Sequence, residues 1–202
     1  MATRTIDPRT FRLGVVPGAT PGKWIDTWKK RMPRIPIEIV PIEFASQRAA
    51  IEEVDAALVR RPLEDTDDLH VIPLYDEVPV VVASAESHLM AVDRLTANDL
   101  VGEVLITPGD DVLGPLDLPT LAPEFAPIAT TEDAIATVAS GVGIVVVPMS
   151  LARLHHRKDV GYRPLLAGRT SPVVLAWRRE HTTEDVETFI GIVRGRSANS
   201  SR

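Results

Sequence analysis

Hydroxyl and backbone amide groups follow several predicted strands of this chain, where α/β proteins commonly bind small anions. Thr20, Ser46 and the pair Thr130–Thr131 each stand at the predicted start of a helix, where backbone N–H groups lack intrahelical partners. Arg60 adds a guanidinium directly after a short apolar strand. Ligands of open α/β sheets bind outside the carboxyl ends of the strands. These residue types therefore predict a site for a small polar or anionic molecule.

The candidate binding residues lie in five short segments that converge on one edge of the predicted sheets. They are Gly18, Ala19, Thr20, Phe44, Ser46, Arg60, Thr107, Pro108, Thr130 and Thr131. Any one of the hydroxyls alone is also an ordinary helix N-cap, which contributes on the order of 1 kcal/mol. Arg60 alone also suits an ion pair with Glu64 or Asp65. The convergence of the segments, rather than any single residue, favours a binding site.

No motif of a catalytic centre, a metal site or a cofactor site is found. The sequence has no G-x-S-x-G elbow, no G-x-x-x-x-G-K-[ST] loop and no G-x-G-x-x-G after a strand. Gly141-x-Gly143 lies between a helix and a strand, which is the wrong order for a dinucleotide site. The five His residues lack metal-ligand spacing, and there is no Cys. We therefore expect no catalytic residue, no metal and no cofactor.

The elements that position these residues alternate in the first third of the chain. Pro41 cannot donate to a strand ladder, so the second strand is predicted to be an edge. The β-α-β-α-β order implies a parallel sheet with right-handed crossovers. The predicted strands cover residues 11–16, 37–44 and 56–59, and the predicted helices run from Thr20–Pro21 to Met32 and from Ser46 through Glu53.

A second series of predicted strands and helices follows. Its last strand and helix are not needed to complete a second α/β unit. Strands are predicted over 71–75, 78–83, 104–107, 144–147 and 173–177, and helices start at Thr96, at Thr130 or Thr131 (ending at Gly141), after Pro148 and at Thr182. The simplest arrangement returns the final strand and helix to the first unit. This predicts one lobe from residues 1–82 and 168–202, a second lobe from 83–167, two crossing strands and a ligand cleft between the lobes.

Composition fits an ordinary globular protein. The 202 residues carry 22 Lys and Arg and 28 Asp and Glu, so the formal net charge is 22 − 28 = −6. The acidic balance argues against a nucleic-acid surface over the whole domain. The N-terminal MATRTIDPRT has no apolar signal region, and the longest apolar run, Val142–Met149, is too short for a membrane span. We therefore expect a cytoplasmic protein without membrane contact.

The succession of several segments resembles the effector-binding domain of LysR-type transcriptional regulators. These segments are VDAAL at 54–58, LYDEVPVVVASAESHL at 74–89, ANDLVGE at 97–103 and VASGVGIVVVP at 138–148. The resemblance implies an α/β fold of the type 2 periplasmic-binding-protein class, with two Rossmann-like lobes. It also implies binding of a small effector that closes the lobes. The family's N-terminal winged helix-turn-helix is not found, so we expect no direct nucleic-acid contact by this chain.

The resemblance further implies which residues contact the effector and which contact a second copy of the chain. The family binds its effector at the turn after the first strand and at the start of the second helix, which adds Gln47 to the candidates. Family domains pair through the first helix, where Trp24 and Trp28 share a face, so a homodimer is expected there, although core packing also suits both residues. A transport-type solute-binding protein stays open as an alternative. So does an enzyme on this fold, for example one with Glu43 or Asp76 facing His70.

Overall fold

The computed structural model describes residues 9–195, in which eight strands and five α-helices follow one another. Residues 1–8, most of the N-terminal segment that lacks an apolar signal region, lie outside the described residues. The strands are β1 (Phe11–Val15), β2 (Ile37–Pro41), β3 (Ala56–Arg60), β4 (Leu69–Glu77), β5 (Pro79–Ser84), β6 (Val145–Pro148), β7 (Val160–Pro164) and β8 (Ser171–Arg178). The helices are α1 (Gly22–Arg31), α2 (Gln47–Ala50), α3 (Thr131–Val138), α4 (Met149–Leu154) and α5 (Glu184–Val193).

The chain divides into two units, and it passes between them within β4 and β8. The first unit extends to Pro73 and resumes at Val174, and the second spans Leu74–Val173. These boundaries differ from the expected ones at 82/83 and 167/168. The physical reason is the pairing of β5, which lies between β6 and β7 in a separate sheet and therefore belongs wholly to the second unit.

The first unit is built on a five-stranded sheet in the order β2-β1-β3-β8-β4. β1 pairs in parallel with both β2 and β3, so the predicted parallel β-α-β-α-β order is confirmed. β2 lies at the edge of the sheet, as Pro41 predicts. Every residue of β3 is buried, as its apolar run predicts.

Helix α1 covers this sheet through a cluster of three aromatic rings. The ring of Trp28 stacks on Phe11 at a centroid distance of 4.5 Å and meets the edge of Phe189 at 6.0 Å. Its indole N–H donates to the Ile35 carbonyl at 2.9 Å. Trp28 is 0% exposed, so its expected place in a dimer interface is wrong, and core packing is its role. Trp24 is half-buried.

Of the five helix starts predicted at a hydroxyl residue, three shift or lose their capping hydroxyl. Helix α1 begins after Pro21 without a side-chain cap, so Thr20 is not its N-cap. Ser46 makes no capping bond, because residues 44–53 form two 3-10 turns around the short α2. In α5 the cap is Thr183, since the hydroxyl of Thr182 accepts the Trp177 indole N–H. Thr130 caps α3 as predicted.

The second unit has an antiparallel three-stranded sheet in the order β6-β5-β7. The predicted strand over 104–107 is wrong, because that segment makes only single bridges to Leu121 and Ile144. The sequence pattern does not predict strand β7, since Gly161 and Pro164 weaken it. Helix α3 ends at Val138, and Ala139 is its C-cap. The predicted end at Gly141, which has a left-handed φ of 84°, therefore lies two residues beyond the C-cap.

The longest α-helices among residues 9–195 have ten residues, and none could cross a bilayer.

Candidate functional site

Arg60 ends β3, and its guanidinium is buried beside the loop that follows β1. The residue is 1% exposed, and its Nη2 donates to the Pro17 carbonyl at 3.1 Å. Because β1 and β3 are parallel neighbours, their carboxyl ends bring Pro17 and Arg60 to the same edge of the sheet. The structure thus places a buried positive charge against the residue that precedes Gly18.

Gln47 connects α2 to the same strand end. Its side-chain oxygen accepts the Arg60 backbone N–H at 2.9 Å, and its amide nitrogen donates to the Arg60 carbonyl at 2.8 Å and the Pro62 carbonyl at 3.3 Å. Gln47 is 5% exposed. The Gln47 side-chain amide therefore bonds to the backbone at the end of β3 as a neighbouring strand would. Gln47 is thus a positioning residue for Arg60.

The loop after β1 and the turn before α2 present the other candidates of the first unit. Gly18 has a left-handed φ of 83°, which glycine adopts without strain, and the Ala19 N–H donates to the Val16 carbonyl at 3.2 Å. Thr20 is exposed and Phe44 is half-buried. The exposed Ser46 hydroxyl makes only a long bond of 3.5 Å to the Glu43 carbonyl.

Two further candidate segments meet in the second unit, at the start of α3. The Gly109 N–H donates to the Ile128 carbonyl at 2.9 Å, which joins the loop after Thr107–Pro108 to the residues before Thr130. The Thr130 hydroxyl accepts the Asp133 N–H at 3.1 Å and donates to the Asp133 carboxylate at 2.7 Å. Thr107 and Thr130 are exposed, whereas Pro108 is buried.

Two aspartates that are not among the sequence-predicted candidates lie in this same group. The hydroxyl of Thr131, which is 2% exposed, donates to Asp110 Oδ1 at 2.8 Å. The Asp111 carboxylate accepts the N–H groups of Leu113 and Gly114, and burial raises its pKa above the ordinary value. Their position directly after Thr107–Pro108, at a predicted strand end, was the signal that could have found them.

Residues 9–195 contain no candidate metal site. No group of three or more His, Cys, Asp or Glu side chains among them is placed to hold a metal ion. The ring of His70 lies 5.2 Å from that of Trp177, as a packing contact.

A comparison with known protein families identifies the family of this chain. The model of the LysR substrate-binding domain matches residues 7–198, which is nearly the whole chain. The chain belongs to the LysR substrate-binding domain family. This match confirms the resemblance inferred from the sequence and assigns a LysR-type effector-binding domain. Such domains bind effectors for transcriptional regulators and are not typically enzymes.

Solved structures of other LysR-type domains have the same fold. The effector-binding domain of BenM with its effector benzoate aligns with a TM-score of 0.73 and 22% identity, over 93% of this chain and 91% of that one. The reduced OxyR regulatory domain from Pseudomonas aeruginosa aligns with a TM-score of 0.70 and 22% identity, over 93% and 95%. Full-length BenM gives 0.72 and 22%, over 93% and 67%. No curated protein matches the sequence directly.

The expected fold class is thereby confirmed. This LysR substrate-binding domain has the α/β fold of the type 2 periplasmic-binding-protein class.

Proposed function

We propose that this LysR-type domain binds a small polar or anionic metabolite through a group of residues in each unit. The first group consists of Gly18, Ala19, Thr20, Phe44, Ser46 and Arg60, with Gln47 as the positioning residue of Arg60. The second group consists of Thr107, Pro108, Thr130 and Thr131. The proposal keeps the contacts expected from the sequence, and the geometry within each unit supports it.

The observation that carries the proposal is the buried Arg60 guanidinium at the carboxyl end of β3. Its Nη2 donates to the Pro17 carbonyl, which holds the guanidinium beside the loop that follows β1. Sheets of this class bind ligands outside the carboxyl ends of their strands, and a guanidinium at such an edge suits an anion. The nearby Thr20 and Ser46 hydroxyls are exposed, so a ligand can reach them without unfolding an element.

The expected output is a shift between conformations that differ in their affinity for the effector. A regulator of transcription works where the DNA is, so the proposed function implies a cytoplasmic location. Self-association through α1 stays part of the proposal, with Trp24 rather than the buried Trp28 as the residue that contacts a second copy.

The test is calorimetric titration of the chain with small carboxylates, benzoate among them, each with and without amino or hydroxyl substituents. For any carboxylate that binds, we expect Arg60→Met to weaken affinity by at least about tenfold, the effect of losing roughly 1.4 kcal/mol. The control is Arg163→Met, because Arg163 also donates to backbone carbonyls, those of Met90 and Val92. Its affinity should stay within about twofold of the unaltered protein.

Equal losses in both variants would contradict the role of Arg60, because they would reflect general destabilisation. Unfolding curves of both variants, recorded without carboxylate, identify that case directly. Binding that survives Arg60→Met unchanged would also overturn the proposed contact.

A further inference from the structure

Basic side chains cover the exposed side of α1 and the turn after it. All belong to the first unit and all are exposed: Lys23, Lys29, Lys30, Arg31 and Arg34. We call these five residues the α1 basic face. Residues 22–34 contain a single acidic residue, so their formal charge is 5 − 1 = +4, and the rest of the chain carries −6 − 4 = −10. The positive charge is therefore concentrated against the balance of the whole chain.

Most of these cations have no partner inside the protein. Four members of the face form no ion pair and no side-chain hydrogen bond with any other residue in 9–195: Lys23, Lys29, Lys30 and Arg34. Arg48 of the same unit shows the contrast, since it pairs with Glu52 at 2.7 Å and with Asp68 at 2.8 Å. The charges of the face are thus available to an external anion.

The helix dipole accounts for only part of the face. Basic residues in the last turn of a helix stabilise it, which explains Lys29, Lys30 and Arg31. Lys23 lies in the first turn, where the dipole disfavours a positive charge, and α1 has no acidic residue there. Arg34 lies beyond the last helical residue. The stability of α1 therefore does not require the charges of Lys23 and Arg34.

The spacing of the face lets two of its charges act together. Lys23 and Lys30 are seven residues apart, which places them about 20° apart around the helix and about 10 Å apart along it. This distance is about one Debye length at 0.1 M salt, so a polyanion along the helix meets both charges at once. Trp24, proposed to contact a second copy, lies about 100° around the helix from Lys23, on a different side.

Few carboxylates compete with an external anion near the face. Asp26 lies about 60° around α1 from Lys23. Helix α5 packs against α1 and has three acidic residues near its start, of which the buried Asp185 pairs with Arg9 at 2.7 Å. The other two, Glu184 and Glu187, form no ion pair with the face. The five cations therefore exceed the three remaining carboxylates.

The chemistry of the face suits a phosphate backbone rather than a protein or a bilayer. Residues 22–34 offer no large apolar side chain that is exposed, and Trp28 packs the apolar side of α1 against Phe11 and Phe189. Protein interfaces have an apolar centre and are depleted in Lys, and a membrane-bound helix needs a free apolar face. Lys and Arg alone bind nucleic-acid phosphates independently of sequence.

We propose that the α1 basic face binds the phosphate backbone of duplex DNA without reading its sequence. The chain belongs to a family whose domains serve transcriptional regulators, which work beside DNA. We expect no contact of the helix-turn-helix kind, but a phosphate contact through α1 needs no such motif. The acidic remainder of the chain repels DNA and confines the contact to this face.

The test is fluorescence anisotropy of a labelled duplex of about 20 base pairs, titrated with the full chain between about 20 and 200 mM salt. We expect the affinity to fall as salt rises, with a log–log slope of about −0.9 for each phosphate contacted. Lys23→Gln, Lys30→Gln and Arg34→Gln together should make the slope shallower by about 2–3 and weaken binding at the lowest salt by at least about tenfold. A second duplex of unrelated sequence should bind within about twofold of the first.

The matched control combines Arg94→Gln, Lys158→Gln and Arg194→Gln. It removes the same charge from three exposed positions outside the face and should leave the slope unchanged. Equal unfolding midpoints of the two triple variants exclude a folding defect. If the α1 triple variant unfolds earlier, Arg34→Gln alone, outside the helix, should still make the slope shallower by about 1.

No binding of the duplex at the lowest salt, or equal slopes for both triple variants, would overturn the proposal. Poly-glutamate that competes as strongly as the duplex would assign the face to an acidic polypeptide and overturn it as well. Any carboxylate that binds the unaltered chain should bind the α1 triple variant within about twofold. Failure of the DNA contact therefore leaves the proposed effector site standing.

Discussion

Arg60 and Trp28 are both large side chains with a polar group, and the protein buries both for different purposes. Trp28 satisfies its indole N–H within its own unit and fills the space between β1, α1 and α5. Arg60 keeps its positive charge at a strand end, beside a loop proposed to contact a ligand. Residue type alone did not separate these roles, because the depth of burial depends on which neighbours pack around each side chain.

The first prediction concerns the aromatic cluster. Trp28→Ala should lower the free energy of unfolding by about 3–5 kcal/mol, because it leaves a cavity between Phe11 and Phe189. Urea unfolding followed by circular dichroism measures the loss. Trp24→Ala, on the same helix but half-buried, is the control and should cost clearly less. A Trp28 variant as stable as the Trp24 variant would show that the cluster is not part of the core.

At the scale of elements, a hydroxyl before a helix becomes a cap only where the backbone lets it reach an N–H group. Thr130 has the extended backbone of an N-cap and accepts the Asp133 N–H. Thr20 precedes Pro21, which has no N–H, and α1 starts one residue later without a side-chain cap. The two threonines differ in the residues that follow them, since Pro21 comes after Thr20 and Thr131 comes after Thr130.

The second prediction compares these two threonines. Thr130→Ala should destabilise the protein by about 1 kcal/mol through loss of the cap, whereas Thr20→Ala should change stability by less than about 0.5 kcal/mol. Unfolding by urea under identical conditions measures both. Equal losses would mean that the Thr130 hydroxyl contributes nothing as a cap.

The third prediction concerns the capping box of the turn at Ala97–Leu100. The Thr96 backbone N–H and hydroxyl both donate to Asp99 at 2.7 Å, and these bonds lower the pKa of Asp99 below its ordinary value. A lowered carboxyl pKa contributes stability above the pKa of the unfolded chain, and this contribution is lost as the pH falls through the folded pKa.

Asp99→Asn should therefore lower stability at pH 7 and reduce the loss of stability between pH 5 and pH 2, the acid range in which a carboxyl with a lowered pKa titrates. Unfolding free energies measured across this range test the expectation. Asp26→Asn, which removes an exposed carboxylate from α1, is the control for a change in net charge. An unchanged acid profile in the Asp99 variant would contradict the proposed linkage.

At the scale of the whole molecule, two features depend on how the chain is distributed. The chain changes unit within β4 and β8, so residues distant in sequence complete the first sheet. Residues 95–152, which contain eight Asp and Glu residues and no Lys, Arg or His, fall in the second unit, and the buried Arg60 falls in the first. Closure of the units around an effector stays a prediction from the sequence.

The fourth prediction concerns self-association, which the proposed function assigns to α1. Trp24→Ala should weaken a homodimer by at least about thirtyfold if Trp24 acts as an interface hot spot, which corresponds to roughly 2 kcal/mol. Sedimentation equilibrium measures the dissociation constant. Leu154→Ala, which truncates an exposed apolar side chain on α4 of the second unit, is the control. A monomeric protein, or equal effects of both substitutions, would reject pairing through α1.

The sequence by itself determined the family, the parallel start of the first sheet, the edge position of β2 and the burial of β3. These features follow from local patterns: an apolar run, a proline in a strand and a characteristic order of segments. Only the tertiary structure decided that Trp28 lies in the core. It also decided that Gln47 hydrogen-bonds to the backbone of Arg60 and that Asp110 accepts a hydrogen bond from Thr131. These facts depend on contacts between distant residues, which no local pattern of residue types specifies.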